Sequence, residues 1–155
     1  MANDYEIKTL EPTSKRLVRL IQENAEELAK KWLKDVKTSA KTPTYHAFIE
    51  KELFTRVVDV YSNLEKWIAD EADKEKMTSQ YRSYGAERRE QEFALSEVVH
   101  ALILMRHHLW QKVLADGLLD SVQDYYHAIE LYRKVVRYFD RAIYFTIVGY
   151  ENEKG

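Results

Sequence analysis

Hydrophobic residues recur at steps of three and four along nearly the whole chain, while the strict alternation of a half-buried strand is hard to find. This periodicity predicts five helices. After Pro12 and Thr13, Ser14 can cap a first helix carrying Leu17, Val18, Ile21, Ala25, Leu28, Trp32 and Leu33, which should fade near Thr38 to Ala40. A second opens at "KTPTY", with Thr42 as the cap and Pro43 at the first helical position, where a missing N–H costs nothing. Its apolar positions run from Phe48 through Val57 and Tyr61 to Trp67 and Ile68, and "DEADKEK" makes a solvated exit. A third, from about Thr78 to Glu92, shows Tyr81, Tyr84 and Ala86 and then mostly charge, so only a narrow face can be buried. A fourth starts near Leu95, with Val98, Leu102, Ile103, Leu109, Trp110, Val113 and Leu114 in its core stripe. Asp116-Gly117 should stop it through the left-handed conformation that glycine tolerates.

The fifth helix, from about Ser121 to Tyr150, carries two apolar stripes. One reads Val122, Tyr125, Ile129, Tyr132, Val136, Phe139, Ile143; its neighbour reads Ala128, Leu131, Val135, Tyr138, Ala142, Phe145. Together they make an arc wider than one packed helix face needs. A helix of roughly 30 residues also spans about 45 Å, longer than the bundle it would pack on. Part of the arc is therefore expected to meet a second copy, since closed twofold pairs are the commonest oligomers. Tyr132, Val136, Phe139 and Ile143 are the interface candidates. Packing of both stripes within one subunit also fits the pattern, and which stripe turns inward is open.

With 155 residues, four Gly and two Pro, the chain reads as a single all-α domain over residues 1–155, compact and either globin-like or a bundle. The absence of cysteine excludes disulfides, thiol catalysis and cysteine-ligated metal. A net charge of -2 gives no basis for nucleic-acid binding, and Arg82, Arg88 and Arg89 alternate with Glu87, Glu90 and Glu92 in a self-neutralising run. The longest apolar run, Val98 to Met105, is interrupted by His100 and is far too short to cross a membrane. No secretion signal opens the chain, so a cytoplasmic protein is expected. "ENEKG" does not look like the start of a linker, and a stand-alone protein is expected.

Chemistry is sparse. Glu97-x-x-His100 and Asp124-x-x-His127 have the carboxylate–imidazole spacing of di-iron bundles. Such a site needs two more inward carboxylates, and Asp124 lies in a first helical turn, where acids favour the dipole, so no metal is assigned. His100 and His107 lie seven residues apart on one helix face, which makes either an axial candidate for haem or a contact for a small ligand. Neither His100 nor His108 has the small, basic surroundings of a phosphorelay histidine. No nucleophile has a visible activating partner, so no catalytic residue is assigned. If Arg106 is buried it needs an acid, and Glu97 or Asp140 would serve.

Tyr84-Gly85, Arg88, Leu95, Glu97-Val98-Val99, Ala101-Leu102, Leu104, Arg106, Leu109 and Trp110, with Trp32 and Asp140-Arg141-Ala142, form a pattern over most of residues 14 to 150. It resembles the N-terminal sensor-like domain of the RsbR and RsbRD family, co-antagonists in the stressosome pathway. Gly85, Arg88, Arg106 and Trp110 are the matched structural positions. Phe93-Ala94 stands where that pattern has a glycine, so the turn there should differ. The resemblance implies a globin-like fold that lacks haem in relatives, a dimer, and a place ahead of an output domain. The functional expectation is a non-enzymatic, cofactor-free sensor or interaction domain, a homodimer signalling to a protein partner through its last helices. The alternative is a haem or small-ligand receptor using His100 or His107.

Overall fold

Asparagine divides two helices that were expected to run unbroken. The computed structural model describes residues 11–69 and 72–152, and over these it contains seven α-helices, one 3-10 turn and no strand. Helix α1 (Pro12–Glu23) ends at Asn24 and α2 (Ala25–Thr38) begins beyond it; α3 (Glu50–Ser62) ends at Asn63 before the short α4 (Leu64–Ile68). At both breaks the asparagine amide donates to the carbonyl four residues back, Leu20 O at 2.7 Å and Asp59 O at 2.8 Å. A side chain that bonds nearby backbone competes with the regular helical ladder and favours a break. Helices α5 (Lys74–Glu90), α6 (Leu95–Asp116) and α7 (Val122–Asn152) complete the single all-α domain. The count is seven rather than about five because of these two breaks.

Several expected caps do different work. Helix α1 starts at Pro12, and Ser14 is buried inside it, donating to His127 O on α7 at 3.3 Å. Pro43 opens only the 3-10 turn Pro43–His46, and Thr42 closes the end of α2 by donating to Val36 O at 2.8 Å. Gly117 is right-handed (φ -77), and the left-handed position is Leu118 (φ 51). What demands glycine at 117 is space, because a Cβ there would lie 2.3 Å from Val113 O and 2.9 Å from Leu17 Cδ2. Arg16 holds this corner by donating to the carbonyls of Gly117 and Leu118.

Helices α5 and α7 cross at two glycines. A Cβ on Gly85 would sit 2.0 Å from Thr146 O, and one on Gly149 would sit 1.9 Å from Arg82 O, so each backbone lies directly on the other. This is the packing reason for placing glycines inside helices, where each costs about 1 kcal/mol relative to alanine. At the far end of α5 the turn into α6 bends at Glu92 (φ 65) and drives Phe93, 1% exposed, into the core. Phe93 packs edge-on against Tyr45 and Phe48, and its carbonyl accepts from the Tyr150 hydroxyl at 2.5 Å. The departure at Phe93-Ala94 is thus a turn in which Glu92 takes the left-handed conformation and Phe93 plugs the core.

Candidate functional site

The two stripes of α7 separate most clearly in its first half. Ala128, Leu131, Val135, Tyr138 and Ala142 are buried, whereas Val122, Tyr125, Ile129 and Tyr132 on the other stripe are exposed. Val136 and Ile143 are half-buried. Phe139 departs from its stripe: at 1% exposure, packed against Tyr138, it belongs to the core of the subunit and is removed from the expected interface set. A full turn of α7 does not divide evenly into the stripe spacing, so the line drifts inward at that point.

Helix α6 runs antiparallel beside α7 and extends the exposed face. The Trp110 and Tyr132 rings lie 4.8 Å apart, and Arg106 pairs with Asp140 at 3.6 Å, which settles its acid. Ile103 and Leu114, expected in the core stripe of α6, are exposed instead. The result is an apolar surface shared by two helices, with Leu114, Ile129, Trp110 and Tyr132 along it and the Arg106–Asp140 pair at one side.

Neither candidate histidine, His100 or His107, is buried in the interior. His107 is exposed and stands edge-on to His108, whose Nε2 meets Asp35 Oδ2 at 2.5 Å and so ties α6 to α2. His100 is half-buried at a shallow surface depression with Pro43 and Glu97. Glu97 itself is buried and occupied: it accepts from Thr44 N at 2.6 Å, Thr44 Oγ1 at 2.7 Å and Ala94 N at 3.0 Å. It therefore caps α6 and fastens the 3-10 turn to it, much as a capping-box glutamate does. Asp124 accepts from Asp120 N at 3.1 Å and Thr13 Oγ1 at 3.2 Å, with Ser121 Oγ capping the helix below it. Its carboxyl is held below the usual range chiefly by that Asp120 amide. Among the described residues no group of three or more His, Cys, Asp or Glu is placed to hold a metal ion.

A cavity of about 340 Å³ opens between α3 and α5 and reaches inward to α6 and α7. Its floor is apolar, with Trp32, Leu53, Val57, Leu102 and Met105; Trp67, Tyr81, Tyr84 and Tyr138 form aromatic walls, and Arg88 enters from α5. No histidine lines it. Two buried donors fix the wall behind it by bonding to carbonyls of α6: Trp32 Nε1 to Ala101 O at 2.8 Å and Tyr61 Oη to Met105 O at 2.7 Å. Burial pushes the Tyr81 hydroxyl up to about 12, with its bond to Tyr138 acting in the opposite direction. In the sequence Arg88 belongs to a self-neutralising run of alternating charge. Its spacing from Tyr81 and Tyr84, steps of three and four on the one narrow buried face of α5, was the signal that it points inward.

No helix of the described residues is long and apolar enough to cross a membrane. Searches of curated proteins and of solved structures returned no match to this chain. Against protein-family models, residues 26–154 match the RsbT co-antagonist protein rsbRD N-terminal domain. That span takes in the cavity lining, the exposed α6–α7 face and the Gly85–Gly149 crossing, and over it this chain belongs to the rsbRD N-terminal domain family of signalling domains.

Proposed function

We propose that this domain is a non-enzymatic, cytoplasmic sensor and interaction module that works as a twofold dimer through the outer face of α6 and α7, and passes its state to a protein partner. The observation that carries this reading is the exposed apolar surface itself. Ile129 is 59% exposed, Leu114 56% and Tyr132 41%, on neighbouring helices. Large apolar side chains gathered on one face mark association surfaces, and an isologous contact buries such a face against its own copy. Tyr132, Val136 and Ile143 form the α7 part of the contact, with Trp110 backing Tyr132. The helix order, with a 3-10 turn after the second helix and two long antiparallel helices at the end, supports the globin-like reading. A signal leaving through α6 and α7 would shift the same pair of helices that forms the dimer.

Haem on His100 or His107 would have to be built at the surface, since neither lines the cavity. A Soret band co-eluting with protein expressed under haem supply would favour it.

The chain has no cysteine, so single cysteines report on proximity without background. Under mild oxidation, Ile129→Cys, Tyr132→Cys or Val136→Cys should link two copies near the twofold axis, while Glu52→Cys on α3 should not. Equal, low cross-linking at all four positions would contradict this interface.

A further inference from the structure

We propose that the cavity between α3 and α5 is a binding site for a small aromatic monocarboxylate, whose charge is taken by the buried guanidinium of Arg88. This goes beyond the dimer and does not rest on it.

Arg88 is only 3% exposed, yet among the described residues no carboxylate oxygen lies within ion-pair distance of it. The other charged residue among the buried side chains, Glu97, is engaged by Thr44 and Ala94. What surrounds the guanidinium is neutral: Gln91 Oε1 at 2.6 Å, the hydroxyls of Tyr84 and Tyr45, and the rings of Tyr84, Phe93 and Phe48 at 4.8, 4.8 and 5.3 Å. Ring faces attract a cation, but they leave N–H groups without acceptors. Arg88 Nε is accordingly buried with no hydrogen-bond partner. A desolvated charge that lacks a counter-charge is costly, and buried charges are otherwise found paired.

A second orphan donor points the same way. Trp67 Nε1, from α4, is also buried and unpartnered, and Trp67 lines the same cavity. Both residues line one cavity, and each carries an N–H group for which the protein supplies no acceptor, which calls for a ligand rich in acceptors. The aromatic side chains Trp32, Trp67, Tyr81, Tyr84 and Tyr138 and the aliphatic floor between them select its body, while the polar part of the lining includes Arg56, Asp59 and Glu87, of which Arg56 and Glu87 pair with each other. Flat aromatic groups pack well in such surroundings. A single interior cation matches a single negative charge, which favours a carboxylate over a phosphate dianion, and carboxylates suit the planar fork of arginine. The volume of about 340 Å³ is within the range of small-molecule sites. Entry is from the side where Arg56 of α3 meets Glu87 of α5 at 3.2 Å. Both side chains are close to half exposed, so this bridge can open without disturbing the core.

The test compares 3-phenylpropanoate with its neutral counterpart, 3-phenylpropan-1-ol, by calorimetric titration of the intact protein, with tryptophan fluorescence as a second readout because Trp32 and Trp67 line the cavity. The carboxylate should bind at least tenfold more tightly, and Arg88→Met should abolish that preference while still binding the alcohol. Equal affinity for the two compounds, or binding of neither, overturns the proposal on the unmodified protein alone, whether or not the variant folds. Undiminished carboxylate binding by a folded Arg88→Met protein overturns the assignment to Arg88.

Discussion

Tyr61, Tyr81 and Tyr138 bring hydroxyls into the interior, and burial raises all three above the ordinary tyrosine value, Tyr81 to about 12. In the unfolded chain each would ionise near pH 10. Between those values the unfolded state has lost protons that the folded state keeps, so stability is intact below about pH 10 and falls as pH rises towards 12 and beyond. The slope is roughly 1.4 kcal/mol per pH unit for each such tyrosine. In an alkaline titration followed by tyrosinate absorbance and circular dichroism, Tyr61, Tyr81 and Tyr138 should ionise together with loss of helix. A single transition of all tyrosines with the helices intact would contradict this. Phe139 shows the same inward logic: its stripe suggested an interface, but its ring fills the core, and replacing it would report on folding rather than assembly.

Among the elements, the α5–α7 crossing places the tightest demand on sequence. Gly85→Ala should gain intrinsic helix propensity, yet the added methyl falls 2.0 Å from a backbone oxygen that cannot move away alone. A net loss of about 1–3 kcal/mol is expected, as for an overpacked core site, measured by urea denaturation; a variant as stable as the parent would mean the helices do not meet so closely. The need for a packing reason at Gly85 was legible, because glycine inside a helical pattern is unfavourable. The start of α6 at Leu95 was legible too, from its periodicity. The breaks at Asn24 and Asn63 were not, since each rests on one side chain bonding its own helix within an unbroken apolar pattern. Nor was the left-handed bend at Leu118, which a glycine one residue earlier obscured.

For the molecule as a whole, hydrophobic periodicity showed that α7 has more apolar surface than one face can bury, but it could not say which stripe is covered. That choice depends on where α1, α5 and α6 contact it, and these contacts are separated widely in sequence. The cavity was hidden for a related reason: its lining comes from α2 through α7, and its buried cation, Arg88, sits in a run that reads as solvent-facing until α5 is placed. The proposed joining of two copies through the exposed α6–α7 face is tested by the mass of the protein in solution, measured by light scattering during size-exclusion chromatography. The parent chain should have twice the mass of one subunit, and Ile129→Glu, on a side chain 59% exposed, should halve it while leaving the helical spectrum unchanged. A monomeric parent, or a folded Ile129→Glu protein that remains dimeric, would contradict the account.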